Sequence, residues 1–564
     1  MKKILSIYII LTFAFMTIFT GCQSENKEKE ETKEVVKKEI TSEDIKDTIV
    51  YSIVSEPSGM FNPLISNTTY DDKVNNLLYS SLINYDENMN IVMDLAKEYT
   101  VSEDNLKISF TLKDNLKWHD GKDLTLEDIK FTFKSLADKK YAGAFYSVVE
   151  NIKGAKEYKE GLKEDIEGIK IKDNQIIFEF ENIYAPAFTK IAGFPIIPKH
   201  IWENEDIASW NQKSDLLKNP IGSGPYKFKE YKQGEFLKFE RFENYHEGLC
   251  KTKNFILKIT NPNTTMVELS SGVIDIADVS SLKNRDRDNL KMDGIECISY
   301  PNRLFQYMGF NLRMDEFKNK DFRKVFMYAI DRKSMVDKLI EGNGSLVNAP
   351  MINSSYAYPD EKELNQYEYD INKAKEILAS LNYKDTNNDG ILEDEKGNKL
   401  SFVLKYPSGD KTRELIAPII QSNLKDIGIE IKLSMMEFKT MMAEVVGNHE
   451  FELYLMGNNL DLDPDPKPYW HSTASSNEKG VYGWNIAYFR NEKADELMEE
   501  GLKYMDINKR KEIYKDFAKL MNDELPWIYL FNQDKIIAYN KNLNNFKQST
   551  YSDYINIKDW YILK

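Results

Sequence analysis

Residues 416–433 constrain the fold more strongly than any other stretch of the chain. Apolar side chains recur at helical spacing from Ile416 to Ile427, and Gly428 then interrupts the pattern. The next five residues alternate apolar and polar side chains, which is typical of a half-buried strand. A helix, a glycine stop and a strand in this order predict an α/β protein. Because Pro418 lies inside the helical pattern, we expect that helix to begin late or to bend.

The same two patterns recur elsewhere in the chain. Alternation of apolar and polar residues predicts strands, whereas apolar residues three or four positions apart predict helices. Alternation predicts strands at 108–112, 176–180, 237–239 and 429–433, and a short run rich in β-forming residues predicts a first strand at 49–54. Two further predicted helices lie at 374–381 and 494–505.

The chain has 564 residues, which is too long for a single hydrophobic core. At roughly 100–200 residues per domain, it should form three or more lobes. The net charge of -15 argues against nucleic acid as a partner, because a surface that follows phosphates needs concentrated lysine and arginine.

Cysteine and histidine are scarce. The three cysteines are Cys22, Cys250 and Cys297, and no CxxC motif occurs, which excludes a dense disulfide scaffold or a cysteine-rich zinc site. Cys250 and Cys297 could pair or remain separate thiols. The five histidines are scattered without an HExxH motif. We therefore expect no resident metal and no cofactor.

The N-terminus has the features of an export signal. Two lysines precede an apolar run over residues 4–19, which is short for a membrane span of about 20 residues. Small residues then precede Cys22, and this arrangement looks like a bacterial lipobox, with phenylalanine where leucine is usual. We predict a signal peptide over 1–21, a lipid anchor on Cys22 and a charged, unfolded tether over 22–47. The alternative is an N-terminal membrane helix that is never cleaved.

Residues 385–390 resemble the start of a calcium-binding loop, with oxygen ligands at alternate positions before a glycine. Lys396 occupies the position where such a loop carries glutamate. We therefore predict a β-turn here rather than a calcium site.

Six separated segments carry a recognisable pattern. They are Glu56-Pro57 with Asn62-Pro63, Trp118-His119-Asp120-Gly121 with Leu124-Thr125, Gly222-Ser223-Gly224-Pro225-Tyr226, Asn244-Tyr245-His246-Glu247-Gly248, Phe310-Asn311 with Ala329-Ile330-Asp331-Arg332, and Ile427-Gly428-Ile429. In this order they resemble the family 5 extracellular solute-binding proteins, the oligopeptide- and dipeptide-binding class. The glycines and the Trp-His-Asp segment predict turns and packing rather than catalysis.

The resemblance implies a fold and a domain plan. The fold would be α/β, periplasmic-binding-protein-like type II (cluster C), with two hinged lobes and an extra domain. Domain I would comprise 48–85, 210–303 and 528–564. Domain II would cover 86–209, and domain III would cover 304–527.

The resemblance also implies a ligand site. Members of the family hold the α-ammonium of a peptide with a carboxylate and pair with the peptide backbone. Spacing from Gly457 predicts Asp461 as that carboxylate, with Asp463 as a rival because the chain is one residue shorter there. The alternative is a turn in which these aspartates cap backbone N–H groups. The other predicted ligand-binding residues are Gly457, Asn459, Trp484, Asn485, Tyr488, Asn67 and Thr69.

The implied function is that of a substrate-binding lipoprotein of an ABC importer, which captures peptides and delivers them to permease and ATPase subunits. We expect a monomer anchored to the cell membrane by its lipid. Three alternatives remain open: another solute in the same fold (a nickel complex, haem or an oligosaccharide, with His471 as a possible metal contact), a peptide-signal receptor or adhesin, and a lipid-anchored hydrolase. No GxSxG, HExxH or SxxK site supports the hydrolase.

Overall fold

The computed structural model describes residues 41–66 and 68–564. The predicted signal peptide, Cys22, most of the tether and Asn67 therefore lie outside the described residues. Within the part of the chain that is described, every helix is too short or too polar to cross a membrane.

The folded body begins before the predicted boundary at Thr48. Ile45 is buried and pairs with Leu563 near the other end of the chain. The Lys46 ammonium donates to both carboxylate oxygens of Asp275, at 2.9 and 3.0 Å. These contacts tie residues 45 and 46 to the folded body, so the ordered part of the chain extends into the segment predicted as a tether.

The described strands have the following bounds: β1 Thr48–Ile53, β2 Ile83–Tyr85, β3 Ile91–Met93, β4 Ala96–Val101, β5 Lys107–Leu112, β6 Ile169–Lys172, β7 Gln175–Glu179, β8 Tyr226–Lys232, β9 Phe236–Arg241, β10 Asn254–Ile259, β11 Ile276–Asp278, β12 Ile295–Phe310, β13 Gly344–Leu346, β14 Ser401–Pro407, β15 Glu430–Met436, β16 Leu453–Asn459, β17 Trp527–Asn540, β18 Leu543–Asn544 and β19 Tyr561–Ile562.

The described helices have the following bounds: α1 Thr69–Leu78, α2 Leu126–Leu136, α3 Ala155–Lys159, α4 Ala187–Ala192, α5 Lys199–Trp202, α6 Ser214–Lys218, α7 Thr265–Ser270, α8 Asn284–Met292, α9 Asp315–Lys318, α10 Lys320–Ala329, α11 Arg332–Ser334, α12 Ile371–Ser380, α13 Lys411–Lys425, α14 Phe438–Met442, α15 Lys467–Trp470, α16 Glu492–Gly501 and α17 Ile507–Glu524.

The predicted strands are confirmed as β1, β5, β7, β9 and β15, and the helical patterns as α12, α13 and α16. The expected late start of the helix around Pro418 is wrong. Helix α13 begins at Lys411, where the Asp410 carboxylate caps it by accepting from the Arg413 N–H at 3.0 Å. Apolar packing of one face therefore outweighs the single hydrogen bond that a proline removes.

One large mixed sheet runs through the molecule in the order β15-β14-β16-β12-β17-β11-β1-β10-β9-β8, with β13 also on β17. A separate antiparallel sheet has the order β4-β5-β7-β6. Two main hydrophobic clusters pack on these layers. One draws on residues 305–531, and the other on 49–276 with 537–562. The predicted domain boundaries themselves stay a prediction.

The long strands β12 and β17 pass from one cluster to the other. Their register breaks between Pro301 and Phe305. The buried Asn532 side chain lies opposite this bulge and donates from Nδ2 to the carbonyls of Asn302 and Leu304, at 2.7 and 2.8 Å. The bulge carbonyls thus have partners although the ladder is interrupted.

Two of the sequence motifs meet in space. His119 accepts a hydrogen bond from the Gly222 N–H at its Nδ1 (3.2 Å), and its Nε2 lies 3.0 Å from the Gly224 carbonyl. Burial lowers the pKa of His119 to about 4, so the ring is neutral at pH 7. The predicted structural role of this motif fits these contacts, which fix a turn against the end of α1.

Gly222 should not tolerate a side chain. A Cβ atom there would lie 1.9 Å from the Leu78 carbonyl oxygen, so Gly222→Ala should cost about 3 kcal/mol of unfolding free energy. Gly272→Ala is the control, because its φ of +71° is strained but it has no neighbour within 4 Å, and it should cost about 1–2 kcal/mol. Denaturant unfolding followed by tryptophan fluorescence measures both. Equal midpoints for Gly222→Ala and the wild-type protein would contradict the close contact.

Candidate binding cleft

A cavity of about 610 Å³ opens in the described part of the chain. Its wall includes side chains from residues 76–94, 186–195, 458–470 and 549–558, which belong to segments of both main hydrophobic clusters. A cleft of this size lies within the range of small-molecule and short-peptide sites.

The loop after β16 forms one wall of the cavity. Its aspartates organise it locally, because Asp463 accepts from the Asp465 N–H and Asp465 accepts from the Lys467 N–H, both at 3.0 Å. Pro464 and Pro466 lie between these positions and have no N–H to satisfy. Asp463 and Asp465 therefore cap backbone N–H groups, which is the arrangement of the alternative interpretation of this loop.

Asp463 is already paired within the protein. Its two carboxylate oxygens lie 2.7 and 2.6 Å from the Arg510 guanidinium, and both side chains are less than a tenth exposed. Arg510 also donates to the Gly501 carbonyl at 3.0 Å. This two-point ion pair leaves Asp463 poorly suited to its predicted role as a rival ligand anchor.

Asp465 lies beside that pair but has no cation of its own. Among the described residues, no lysine, arginine or histidine nitrogen lies within 4.0 Å of its carboxylate. Its partial burial raises the pKa of Asp465 to about 6, an effect that the positive charges of Lys190 and Arg510 oppose. The cavity thus contains a carboxylate whose negative charge is incompletely compensated.

Three polar atoms near the loop lack partners within the described structure. They are the buried Nδ2 of Asn458 and the buried hydroxyls of Tyr85 and Tyr356. Asn458 and Tyr85 line the cavity. Buried polar groups are almost always hydrogen-bonded in proteins, so unpartnered atoms in a cavity wall are candidate ligand contacts. The sequence prediction included both neighbours of Asn458 but not Asn458 itself, because the resemblance to the family assigned backbone contacts to Gly457 and Asn459.

Asp461 also lines the cavity, but its carboxylate is exposed. The Tyr551 hydroxyl donates to the Asp461 backbone carbonyl at 3.2 Å. The position predicted as the anchor therefore lies in the cleft, at a more solvated place than Asp465.

Most of the other predicted contacts lie outside the cavity wall. Gly457 pairs with Gln306 inside the sheet, Asn459 ends β16 opposite Leu304, and Thr69 begins α1 at an exposed position. At Gly457 an added Cβ would lie 2.5 Å from Arg413 Nη2, so this glycine serves packing.

The predicted segment after residue 480 is also separate from the cavity. Asn485 is buried and donates to three backbone carbonyls within its own region. The Tyr488 ring lies between the guanidinium groups of Arg313 and Arg490, at 4.1 and 4.2 Å. Trp484 is half exposed and lines a second, shallower cavity of about 240 Å³. Sequence spacing could not separate these packing roles from ligand contacts.

The other sequence candidates have ordinary structural surroundings. Cys250 and Cys297 are free thiols, and burial raises the pKa of Cys250 to about 12. The turn predicted over 385–390 forms, with the Asp385 carboxylate accepting two backbone N–H groups. Asp385, Asp389 and Glu393 cluster there, and Lys399 forms an ion pair with Asp389.

Comparison with known proteins gives a consistent result. Residues 90–480 match the family model described as "Bacterial extracellular solute-binding proteins, family 5 Middle". The oligopeptide-binding protein AppA of Bacillus subtilis is 31% identical over 562 residues, which cover 99% of this chain and 98% of that protein.

Solved structures agree with the sequence matches. The structure of AppA from Bacillus subtilis in complex with a nonapeptide has a TM-score of 0.72 and 30% identity, and the match covers 92% of this chain and 99% of that one. The structure of NikZ from Campylobacter jejuni in complex with Ni(L-His) has the same TM-score with 27% identity, again over 92% of this chain and 99% of that one.

Removal of one partner of the Asp463–Arg510 pair should be costly. Asp463→Ala would leave a buried guanidinium without its counter-charge, and we expect a loss of about 3–5 kcal/mol of unfolding free energy. The control is Asp315→Ala, which breaks the exposed Asp315–Lys318 pair and should leave stability nearly unchanged. Denaturant unfolding compares the two variants, and similar midpoints would contradict the structural role of the buried pair.

Proposed function

Because the chain belongs to family 5 of the bacterial extracellular solute-binding proteins, we propose that it captures peptides in the cleft and delivers them to an ABC importer. Its fold is the one that the sequence predicted, an α/β fold of the periplasmic-binding-protein-like type II. The proteins of this family bind solutes, so we consider ligand binding before catalysis.

The observation that carries the proposal is the Asp465 carboxylate in the cavity wall. Its charge has no cation within ion-pair distance among the described residues, and Tyr85 with its unpartnered hydroxyl lines the same cavity. A peptide α-ammonium supplies a positive charge and three N–H donors, which is the group that such a site lacks. Asn458 Nδ2 is a further donor in the wall, suited to a peptide carbonyl.

We assign the ammonium to Asp465 rather than to Asp461, which spacing alone favoured. An ion pair gains strength when water is excluded, and Asp461 is the more exposed of the two. Asp463 is held by Arg510 and keeps negative charge next to Asp465, which favours a cation there.

The other functions considered receive less support. No histidine is present among the described residues of the cavity wall, and His471 instead contacts Thr473 and Glu499, so the site offers little to a nickel complex. A hydrolase would need a nucleophile with a base. The described members of the cavity wall include neither histidine nor cysteine, so they offer no serine–histidine or cysteine–histidine pair.

The N-terminal pattern supports the proposed location. Cys22 lies in a sequence that resembles a lipobox, so we propose that a lipid on Cys22 anchors the protein to the cell membrane. The permease and ATPase subunits of the cognate importer would then be its partners.

N-acetylation of the ligand tests the ammonium site. Calorimetry should show that trialanine binds the wild type, and that N-acetyl-trialanine binds more weakly by about 3 kcal/mol, or roughly a hundredfold. Asp465→Asn should lose affinity for trialanine by a similar factor and become indifferent to acetylation. Asp461→Asn is the matched control and should retain the wild-type preference.

The outcomes separate the assignments. Loss of the preference in Asp461→Asn, with Asp465→Asn unaffected, would restore the anchor predicted from sequence. Equal affinity of the wild type for both ligands would overturn the ammonium site. Hydrolysis products in the calorimeter cell, detected by mass spectrometry, would favour the enzyme instead.

The affinity for trialanine should also depend on pH. The ammonium binds the ionised carboxylate, and the pKa of Asp465 is about 6, so affinity should fall as the pH drops through 6. At pH 5 only about a tenth of this carboxylate is ionised, so binding should be about tenfold weaker than at pH 7.5. Asp465→Asn should remove this dependence. A flat profile in the wild type would contradict the assignment.

A further inference from the structure

We propose that the surface groove formed by residues 473–484 is a docking site for an acidic, extended segment of a partner protein. This groove is the second cavity, of about 240 Å³, and Pro468 is the residue that it shares with the wall of the main cavity. The site is separate from peptide capture in the main cleft and does not depend on it.

Aromatic and apolar side chains are exposed in the groove. Tyr482 is 63% exposed and Trp484 is 52% exposed, and Val481 next to them is exposed as well. Large apolar side chains that are exposed side by side mark interaction sites on protein surfaces. Tryptophan and tyrosine, together with arginine, are also the residue types that contribute most of the binding energy at protein interfaces.

Backbone contacts fix the walls of the groove. The Asn485 N–H donates to the Ala474 carbonyl at 3.1 Å, and an added Cβ atom at Gly483 would lie 2.4 Å from the same carbonyl oxygen. On the other side, the Gly480 N–H donates to the Gly447 carbonyl at 2.9 Å. A groove that is formed in advance loses little conformational entropy when it binds a partner.

Two arginines are attached to residues that line the groove. Arg313 donates to the Ser476 carbonyl at 2.8 Å, and Arg490 donates to the Ser475 hydroxyl oxygen at 3.3 Å. Their guanidinium carbons lie 4.1 and 4.2 Å from the centroid of the Tyr488 ring, which separates them. The groove therefore has a cationic edge beside its aromatic surface.

The two positive charges have no counter-charge close by. Among the described residues, no carboxylate oxygen lies within 4.0 Å of either guanidinium, and this includes the exposed Glu478 of the same loop. Burial lowers the pKa of Arg313, and the like charge of Arg490 lowers it further. Burial also lowers the pKa of His449, to which the charge of Arg313 adds. An anion bound here would relieve this repulsion, although the chain as a whole has a net charge of -15.

Arg490 has donors available for such an anion. A guanidinium carries five N–H donors, and Arg490 makes two hydrogen bonds, to the Ser472 carbonyl at 3.0 Å and to Ser475. Carboxylates match the planar fork of a guanidinium at two points, and arginine clusters are a recurring means of recognising acidic motifs.

An extended acidic segment matches both features of the groove. Side chains at alternate positions of an extended chain are about 6.6–7 Å apart and point to the same side. Acidic residues at every second position can therefore place one carboxylate near each of Arg313 and Arg490. The apolar side chains between them point to the opposite side, toward Tyr482 and Trp484. Charge complementarity thus selects this partner chemistry.

An acidic peptide without free ends tests the site. Fluorescence anisotropy on the full chain would use fluorescein followed by four Asp-Leu repeats and a C-terminal amide, with four Asn-Leu repeats as the uncharged match. The acidic probe should bind at least about tenfold more tightly than the uncharged one, and its affinity should fall as salt is raised. Arg490→Gln should weaken the acidic probe at least about fivefold and leave the uncharged one unchanged, whereas Trp484→Ala should weaken both.

Lys479→Gln is the matched control. Lys479 is exposed on the same loop, but Glu450 already pairs with it at 2.7 Å, so this variant should change the affinity for either probe by no more than about twofold. Unfolding midpoints equal to that of the wild type show that the variants are folded.

The outcomes separate this site from the main cleft and from other occupants. Failure of the acidic probe to bind, or equal binding by the wild type and Arg490→Gln, would overturn the site. Displacement of the probe by saturating trialanine would assign it to the main cleft, which also overturns the site. If tripolyphosphate binds and the acidic probe does not, the arginines form a phosphate site instead. A concentration-dependent dimer that Trp484→Ala abolishes would make a second copy the occupant. If trialanine fails to bind but the acidic probe binds as described, peptide capture fails and this docking site stands.

Discussion

Strands β12 and β17 run side by side from one main hydrophobic cluster into the other. Their pairing continues the large sheet across both, and the bulge between Pro301 and Phe305 interrupts it at the crossing. Without the Asn532 side chain, two bulge carbonyls would lose donors near the centre of the molecule. The position of the cavity follows from this crossing, because the Leu460 N–H attaches the loop of one wall to it.

The charged groups in the cleft wall differ in whether they have a partner within the protein. Asp463 and Arg510 neutralise each other, whereas Asp465 next to them has no cation within 4.0 Å among the described residues. Arg303 also lines the cavity, and no carboxylate of the described residues lies within ion-pair distance of its guanidinium.

Much of the architecture follows from local patterns. Alternation located β5, β7 and β15 because one face of each strand is buried, and the Gly428 stop located the end of α13 because its φ of +84° favours glycine. The turn motifs that indicated the family are also local patterns. Gly222 lies where two backbone segments come too close for a Cβ atom, and His119 contacts both Gly222 and Gly224 by hydrogen bonds.

The site was predictable only in part. The sequence determined that aspartates would line the loop after β16, since their spacing after Gly457 is a local property. Tertiary structure decided which of them is available, because Arg510 lies 47 residues away and only folding brings it to Asp463. It also separated Asn485 and Tyr488 from the cavity and placed Arg303 in it. A charge is free or paired according to contacts between distant segments, and no local spacing encodes those contacts.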